Sequence, residues 1–312
     1  MSEVVVIEWS TIPVDVKTFI VSFLDYESRC NLRTCSKSDQ SLVDSTRFVP
    51  DFIAIEEQRT SETSVLRFES RTIAFTETDG VVTLSREWIP MGNERFKGKK
   101  RDVMIGFIEG NWMRNGRLEA KRIEILNVAF EPKEHWILEC DELKLRMLGS
   151  KRLPVWLQKT VPNLKELEVM EWGIEGISET PQVQNTRHCL RMSRDACVSD
   201  EQLSTLRAPS LVIFSSNTIS EKGAKKAFKK YVEEARRGDP FELKFSKPAT
   251  FDHRELFQKT WNVEEIENSD DTEGFFMYQI TGGFQNVHRI SEVSQVVVFD
   301  FSTYMTLKVR NL

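Results

Sequence analysis

Residues 163 to 169 read NLKELEV. Leu167 and Val169 alternate with glutamates, so a strand here turns one face to a core and the other to water. The alternating pair recurs along the chain, at Ile123/Ile125, Leu143/Leu145, Leu190/Met192, Leu211/Ile213 and Leu243/Phe245. Successive pairs lie 20, 24, 23, 21 and 32 residues apart.

That spacing falls mostly within the roughly 20 to 29 residues of leucine-rich repeats, and NLKELEV carries their L-x-x-L-x-L/V pattern. Helical segments lie between several of the strands. The clearest runs from Thr218 to Arg237, with a capping box at Thr218 and Glu221 and an apolar face of Ala224, Ala227, Phe228, Tyr231, Val232 and Ala235. Gly238 ends it. Strand and helix alternating at this period imply an α/β solenoid, degenerate because no regular asparagine ladder is present. Upstream, residues 65–68 and 81–84 read as strands around the turn signal Asp79-Gly80, followed by a charged loop and a helix near Asp102 to Met113. Downstream, 275–280, 296–301 and 306–309 read as closing strands behind an acidic loop, 264–273.

A different pattern opens the chain. IPVDVKTFIVSFL (12–24) is rich in large apolar residues. Pro13 suits a first helical turn. Val16, Phe19, Ile20, Phe23 and Leu24 then share one stripe, with Val14 and Val21 almost opposite. Such a helix has a broad apolar face and a smaller second one. A second short helix carries Leu32, and a third, capped by Ser38 or Asp39, contains Leu42 and Val43.

The stretch from Ile12 to about Val43 resembles an F-box. Ile12-Pro13 matches the opening Leu-Pro, Asp15 the acidic place, Val16, Phe19, Ile20 and Leu24 the apolar pairs, and Leu32-Arg33 and Cys35 the closing part. Ser38 and Asp39 stand where many F-boxes have a Trp. The wording CSKSDQSLVD (35–44) is similar to the expanded F-box families of nematodes, which carry a degenerate repeat-like region behind. The resemblance implies a substrate-recognition subunit of a Skp-cullin-F-box ubiquitin ligase. It would bind a Skp-family adaptor, and through it a cullin, by Ile12, Pro13, Val16, Phe19, Ile20, Leu24, Leu32 and Cys35. A protein substrate, unknown from the sequence, would be held by the C-terminal domain. The alternative is an interaction scaffold whose N-terminal helices cap the repeat array, with no ubiquitin-ligase role. The expected architecture is mixed α/β: an F-box module (8–48), a connecting mixed region (49–117) and a leucine-rich-repeat-like domain with capping strands (118–312).

Composition bounds the rest. The chain has 312 residues, 40% hydrophobic and 29% charged, with a net charge of -5. An acidic balance weighs against nucleic acid, which needs a basic face, and the short run RFKGKKR (95–101) falls short of one. Asp15 and Lys17 interrupt a stretch too short to span a bilayer, and residues 1–9 lack an export signal. The five cysteines, odd in number and irregular in spacing, suit free thiols in a reducing cytosol or nucleus. No cofactor or metal is expected. Gly92, Gly98 and Lys99 miss phosphate-loop spacing, with no strand leading in. His188, Cys189 and Cys197 lack the tight pairs of a zinc site. No nucleophile elbow or paired carboxylates stand out, so no enzyme is expected.

Overall fold

The computed structural model describes residues 8–57, 63–87, 93–147, 151–170, 176–193, 198–214, 218–234, 239–246, 257, 262–266, 275–281, 294–300 and 304–311. Gly92, Cys197, Ala235, Gly238 and residues 267–273 lie outside them. A 3-10 turn at Trp9–Thr11 precedes α1 (Val14–Ser22), α2 (Tyr26–Cys35) and α3 (Lys37–Ser45). Then come β1 (Phe52–Glu57), β2 (Thr63–Phe68), β3 (Arg71–Thr78), β4 (Val81–Arg86), β5 (Glu94–Lys97) and α4 (Lys100–Asn111). The middle of the chain holds β6 (Met113–Arg114), β7 (Arg117–Glu119), β8 (Arg122–Leu126), β9 (Ile137–Glu139) and β10 (Glu142–Arg146). It continues through α5 (Leu153–Gln158), β11 (Glu166–Met170), α6 (Pro181–Gln184), β12 (Cys189–Ser193), α7 (Asp200–Thr205) and β13 (Ser210–Phe214). The last elements are α8 (Glu221–Glu234), β14 (Phe241–Ser246), β15 (Asn262–Ile266), β16 (Phe275–Thr281), β17 (Ser294–Asp300) and β18 (Tyr304–Asn311).

The fold is mixed α/β: three helices, then one large sheet. Its middle is a parallel run in the order β1, β8, β10, β11, β12, β13, β14. Antiparallel strands extend it at both ends, β2 to β5 beyond β1 and β18 to β15 beyond β14. The repeating apolar pairs are stacked in register. Ile123 faces Leu143, Leu143 faces Leu167, then Leu190 and Leu211; the second row is Ile125, Leu145, Val169, Met192 and Ile213. Nearly all of their side-chain surface is removed from water. On the sheet face they occupy lie the buried connector residues Leu153, Trp156, Leu157, Phe228 and Tyr231. Trp156 spends its indole N–H on the Phe130 carbonyl at 3.2 Å, so burial leaves no donor unmade.

The structure differs from the sequence reading at several points. The last pair in register is Phe241/Leu243, not Leu243/Phe245, because β14 pairs Leu243 with Ile213. Both Leu243 and Phe245 are buried, so alternation alone left the register open by two residues. A further row begins at Ile53 and Ile55, which pair with Ile123 and Ile125. The strands at 65–68 and 81–84 do not pair with each other: β3 intervenes, and Asp79 (φ 52°) with Gly80 (φ 73°) turns β3 into β4. β5 falls between Gly92 and Gly98 and is followed by α4. There the Lys100 N–H donates to the Glu77 carboxylate at 2.9 Å, which occupies the helix start. The helix expected from Thr218 starts at Glu221. The Thr218 hydroxyl donates to the Val198 carbonyl at 2.8 Å, and Ser220 Oγ accepts the Gly223 N–H at 3.3 Å. Residues 264–266 of the expected acidic loop belong to β15, paired with β16.

The outward face of the parallel strands is charged and partnered with itself. Arg122 bonds Glu124, Lys144 lies 3.4 Å from Glu168, and Lys308 lies 2.7 Å from Glu242. The basic residues Arg95 and Lys97 stand on the edge strand β5, all four residues of which are exposed. Charge there discourages edge-to-edge pairing. Truncating Leu167, 1% exposed in the middle of the stacked rows, should cost about 2–5 kcal/mol. Urea unfolding of Leu167→Ala, read by far-ultraviolet circular dichroism, should show a correspondingly lower midpoint.

Candidate partner-binding face of the helical module

The first three helices are built from local signals. Asp25 accepts the Ser28 N–H at 2.7 Å and caps α2. Ser36 caps α3, accepting the Asp39 N–H at 3.1 Å, two residues earlier than Ser38. Ser36 has extended backbone angles, the conformation a capping residue needs. Pro13 takes the capping position of α1 rather than its first turn.

A small separate core holds the module together. Val21, Leu42 and Val43 are its buried centre, with Trp9, Leu24 and Leu32 packed on it. One polar clamp closes it. The Trp9 indole donates to Asp39 Oδ1 at 2.9 Å, and Ser36 Oγ donates to Asp39 Oδ2 at 2.6 Å. The Lys17 ammonium sits 5.4 Å from the Trp9 ring centroid. The hydrogen bonds from Ser36 and Trp9 hold the Asp39 carboxyl below its ordinary range.

The side of α1 that carries Val21 points inward, with Val21 fully buried and Leu24 of the broad stripe packed beside it. The rest of the stripe faces solvent: Phe23 is 73% exposed, Phe19 65% and Val16 43%, and Val14, which the spacing places beside Val21, is also exposed at the helix start. Phe19 and Phe23 pack edge to face with centroids 4.8 Å apart. Ile12 and Ile20 are half-buried, and Pro13 is exposed. Leu24 and Leu32 belong to the module's core. Cys35 is exposed at the end of α2, its thiol 3.4 Å from the Asn31 carbonyl. Phe23, the most exposed of the set, lies on the stripe but outside the contact residues that the F-box resemblance implies.

Against this geometry, residues 9–50 match the family model of the F-box domain. The N-terminal module is an F-box. The match ends at Pro50, just before β1, and covers all three helices. Neither the curated proteins nor the solved structures gave a match to the chain. F-box domains in general bind Skp-type adaptors and serve as substrate-adaptor elements of SCF ubiquitin ligases, typically as non-catalytic subunits.

The other candidate chemistry resolves into structural roles. His188 lies 2.9 Å from Asp239 and 3.3 Å from Glu166, tying β11 and β12 to the start of β14. Cys189 is buried beside Ser210, and burial pushes its thiol up, away from the thiolate form a nucleophile needs. Cys140 is likewise pushed up by burial. Among the described residues no group of three His, Cys, Asp or Glu side chains is placed to hold a metal ion.

The Asp39 clamp makes the F-box acid-sensitive. A carboxyl held below its ordinary value of 3.8 stabilises the folded state fully above that pH. The contribution is lost as pH falls through the lowered value. The Trp9 indole N–H resonance should therefore stay in its folded position down to about pH 4 and shift below it. In Asp39→Asn it should be displaced already at neutral pH.

Proposed function

We propose that this chain is the substrate receptor of a Skp-cullin-F-box ubiquitin ligase. The observation that carries the reading is the uncovered stripe of Val16, Phe19 and Phe23 on a helix whose opposite face already holds the module together. Burying each of these side chains against a partner is worth about 1.5–3 kcal/mol gross. Rigid-body and desolvation costs take back a large part. Ile12, Pro13, Val16, Phe19 and Ile20 make up the proposed adaptor contact, with Phe23 added and Cys35 at its margin; Leu24 and Leu32 support it from within the core.

The scaffold reading, with the helices as a mere cap, needs α1 to lie on the sheet. The module instead meets the sheet through Tyr26 and Phe48, whose rings lie 4.7 and 6.2 Å from Phe68. Arg47 adds an ion pair to Glu119 at 2.9 Å. These contacts favour the receptor reading.

A cullin would follow through the adaptor. The substrate would bind the remainder of the chain, which we read as a degenerate leucine-rich-repeat-like solenoid, with the connecting mixed region 49–117 continuing the sheet. The stacked rows of apolar pairs support that reading, and the unequal connector helices, from four residues in α6 to fourteen in α8, account for its irregular spacing. Ubiquitin transfer then follows from proximity, with no chemistry on this chain. A cytosolic or nuclear setting fits this role.

The double substitution Phe19→Asp and Phe23→Asp should abolish capture of a Skp-type adaptor. At about 2 kcal/mol or more per lost anchor the affinity falls roughly a thousandfold. Circular dichroism should stay unchanged because neither ring belongs to the core. Undiminished co-precipitation by this variant would overturn the receptor reading.

A further inference from the structure

A cleft of about 610 Å³ lies where the F-box meets the sheet, between α2, the β2–β4 strands and the α4–β6 corner. Its walls carry six arginines and only two carboxylates, Asp44 and Glu119, on a chain whose net charge is -5. Both carboxylates are already engaged, Asp44 with Arg33 at 2.7 Å and Glu119 with Arg47 at 2.9 Å.

Two guanidinium groups make no ion pair among the described residues; the carboxylate whose charge Arg114 feels, Asp44, is already bonded to Arg33. Arg29 is 4% exposed, and its three hydrogen bonds all go to main-chain carbonyls, of Leu24, Thr46 and Arg47 at 3.1, 3.1 and 3.2 Å. Carbonyl dipoles orient a guanidinium but do not neutralise it. Arg114 makes no hydrogen bond or ion pair through its side chain among the described residues. Burial lowers the affinity of Arg29 for its proton, and the charge of Arg114 nearby lowers it further, so the two repel each other. Like charges facing each other across a cleft, with the nearest carboxylate shared with Arg33, are a standing cost that an anion between them reduces.

The rest of the wall is aromatic. Phe68 and Trp112 stack at 5.5 Å, Arg29 lies over Phe48 at 4.7 Å and Arg71 over Tyr26 at 5.1 Å. The volume is that of a small-molecule site and exceeds what a bare inorganic anion fills. Guanidinium forks match phosphate oxygens two at a time.

We propose that this cleft binds a small organic phosphate, its phosphate between Arg29 and Arg114 and its ring or apolar body against the Phe68–Trp112 stack. The ligand would bridge the F-box and the sheet. This inference does not depend on adaptor binding.

Isothermal titration of the full chain with adenosine monophosphate and, separately, with inorganic phosphate tests it. Adenosine monophosphate should bind saturably and more tightly than inorganic phosphate. Arg114→Gln, an exposed position whose loss leaves the core intact, should weaken binding about tenfold, the equivalent of about 1.4 kcal/mol. Arg95→Gln, on the β5 edge outside the cleft, should leave it unchanged. Saturating ligand should also raise the thermal midpoint of the wild type more than that of Arg114→Gln. Absence of saturable binding by adenosine monophosphate up to millimolar concentration would overturn the proposal. So would equal affinity for inorganic phosphate, an Arg114→Gln affinity equal to wild type, or equal weakening by Arg95→Gln.

Discussion

The structure depends on the stacking of two rows of apolar side chains along seven parallel strands. Each strand puts two such residues on one face, and the connectors, with α5 and α8, contribute buried residues to the same core. Because the sheet is covered by its own connectors and extended at both ends by antiparallel strands, it has no need of the N-terminal helices as a lid. That frees the F-box to be held by a core of its own. A three-helix module of this size has few apolar residues to bury, and it uses Val21 and Leu24 for that task. Val16, Phe19 and Phe23 are thereby left for something else.

This division was partly legible in the sequence. The two faces of α1 follow from residue spacing alone, but spacing does not say which face turns inward. The structure settles it through α3: Leu42 and Val43 meet Val21, and only one side of α1 can reach them. Leu24 and Leu32 sit within the apolar pattern and belong to that core, whereas Phe23, between Val21 and Leu24 in sequence but on the other side of the chain, is the most exposed. The alternating pairs of the sheet were equally legible. The row at Ile53 and Ile55 was not, because about seventy residues of hairpins, α4 and β6–β7 separate it from Ile123, to which it pairs.

The caps and the cleft show where local reading stops. Ser36, Ser38 and Asp39 are all capping residues by type, and only the backbone angles choose Ser36. The arginines of the cleft are scattered from position 29 to position 117 and form no motif. Their proximity is a product of the docking of Tyr26 and Phe48 onto Phe68, a tertiary contact with no periodic signature. The basic run at 95–101, which does form a motif, lies instead on an exposed edge and at the start of α4.

On the receptor reading, the outer face of α1 is open in the free chain and closed by an adaptor. Hydrogen exchange of the main chain, with and without a Skp-type adaptor, distinguishes the two states. Val14–Ser22 should exchange readily in the free chain and become protected in the complex, while the parallel strands are unchanged. Protection of α1 already complete in the free chain, or adaptor-induced protection confined to the sheet, would contradict it.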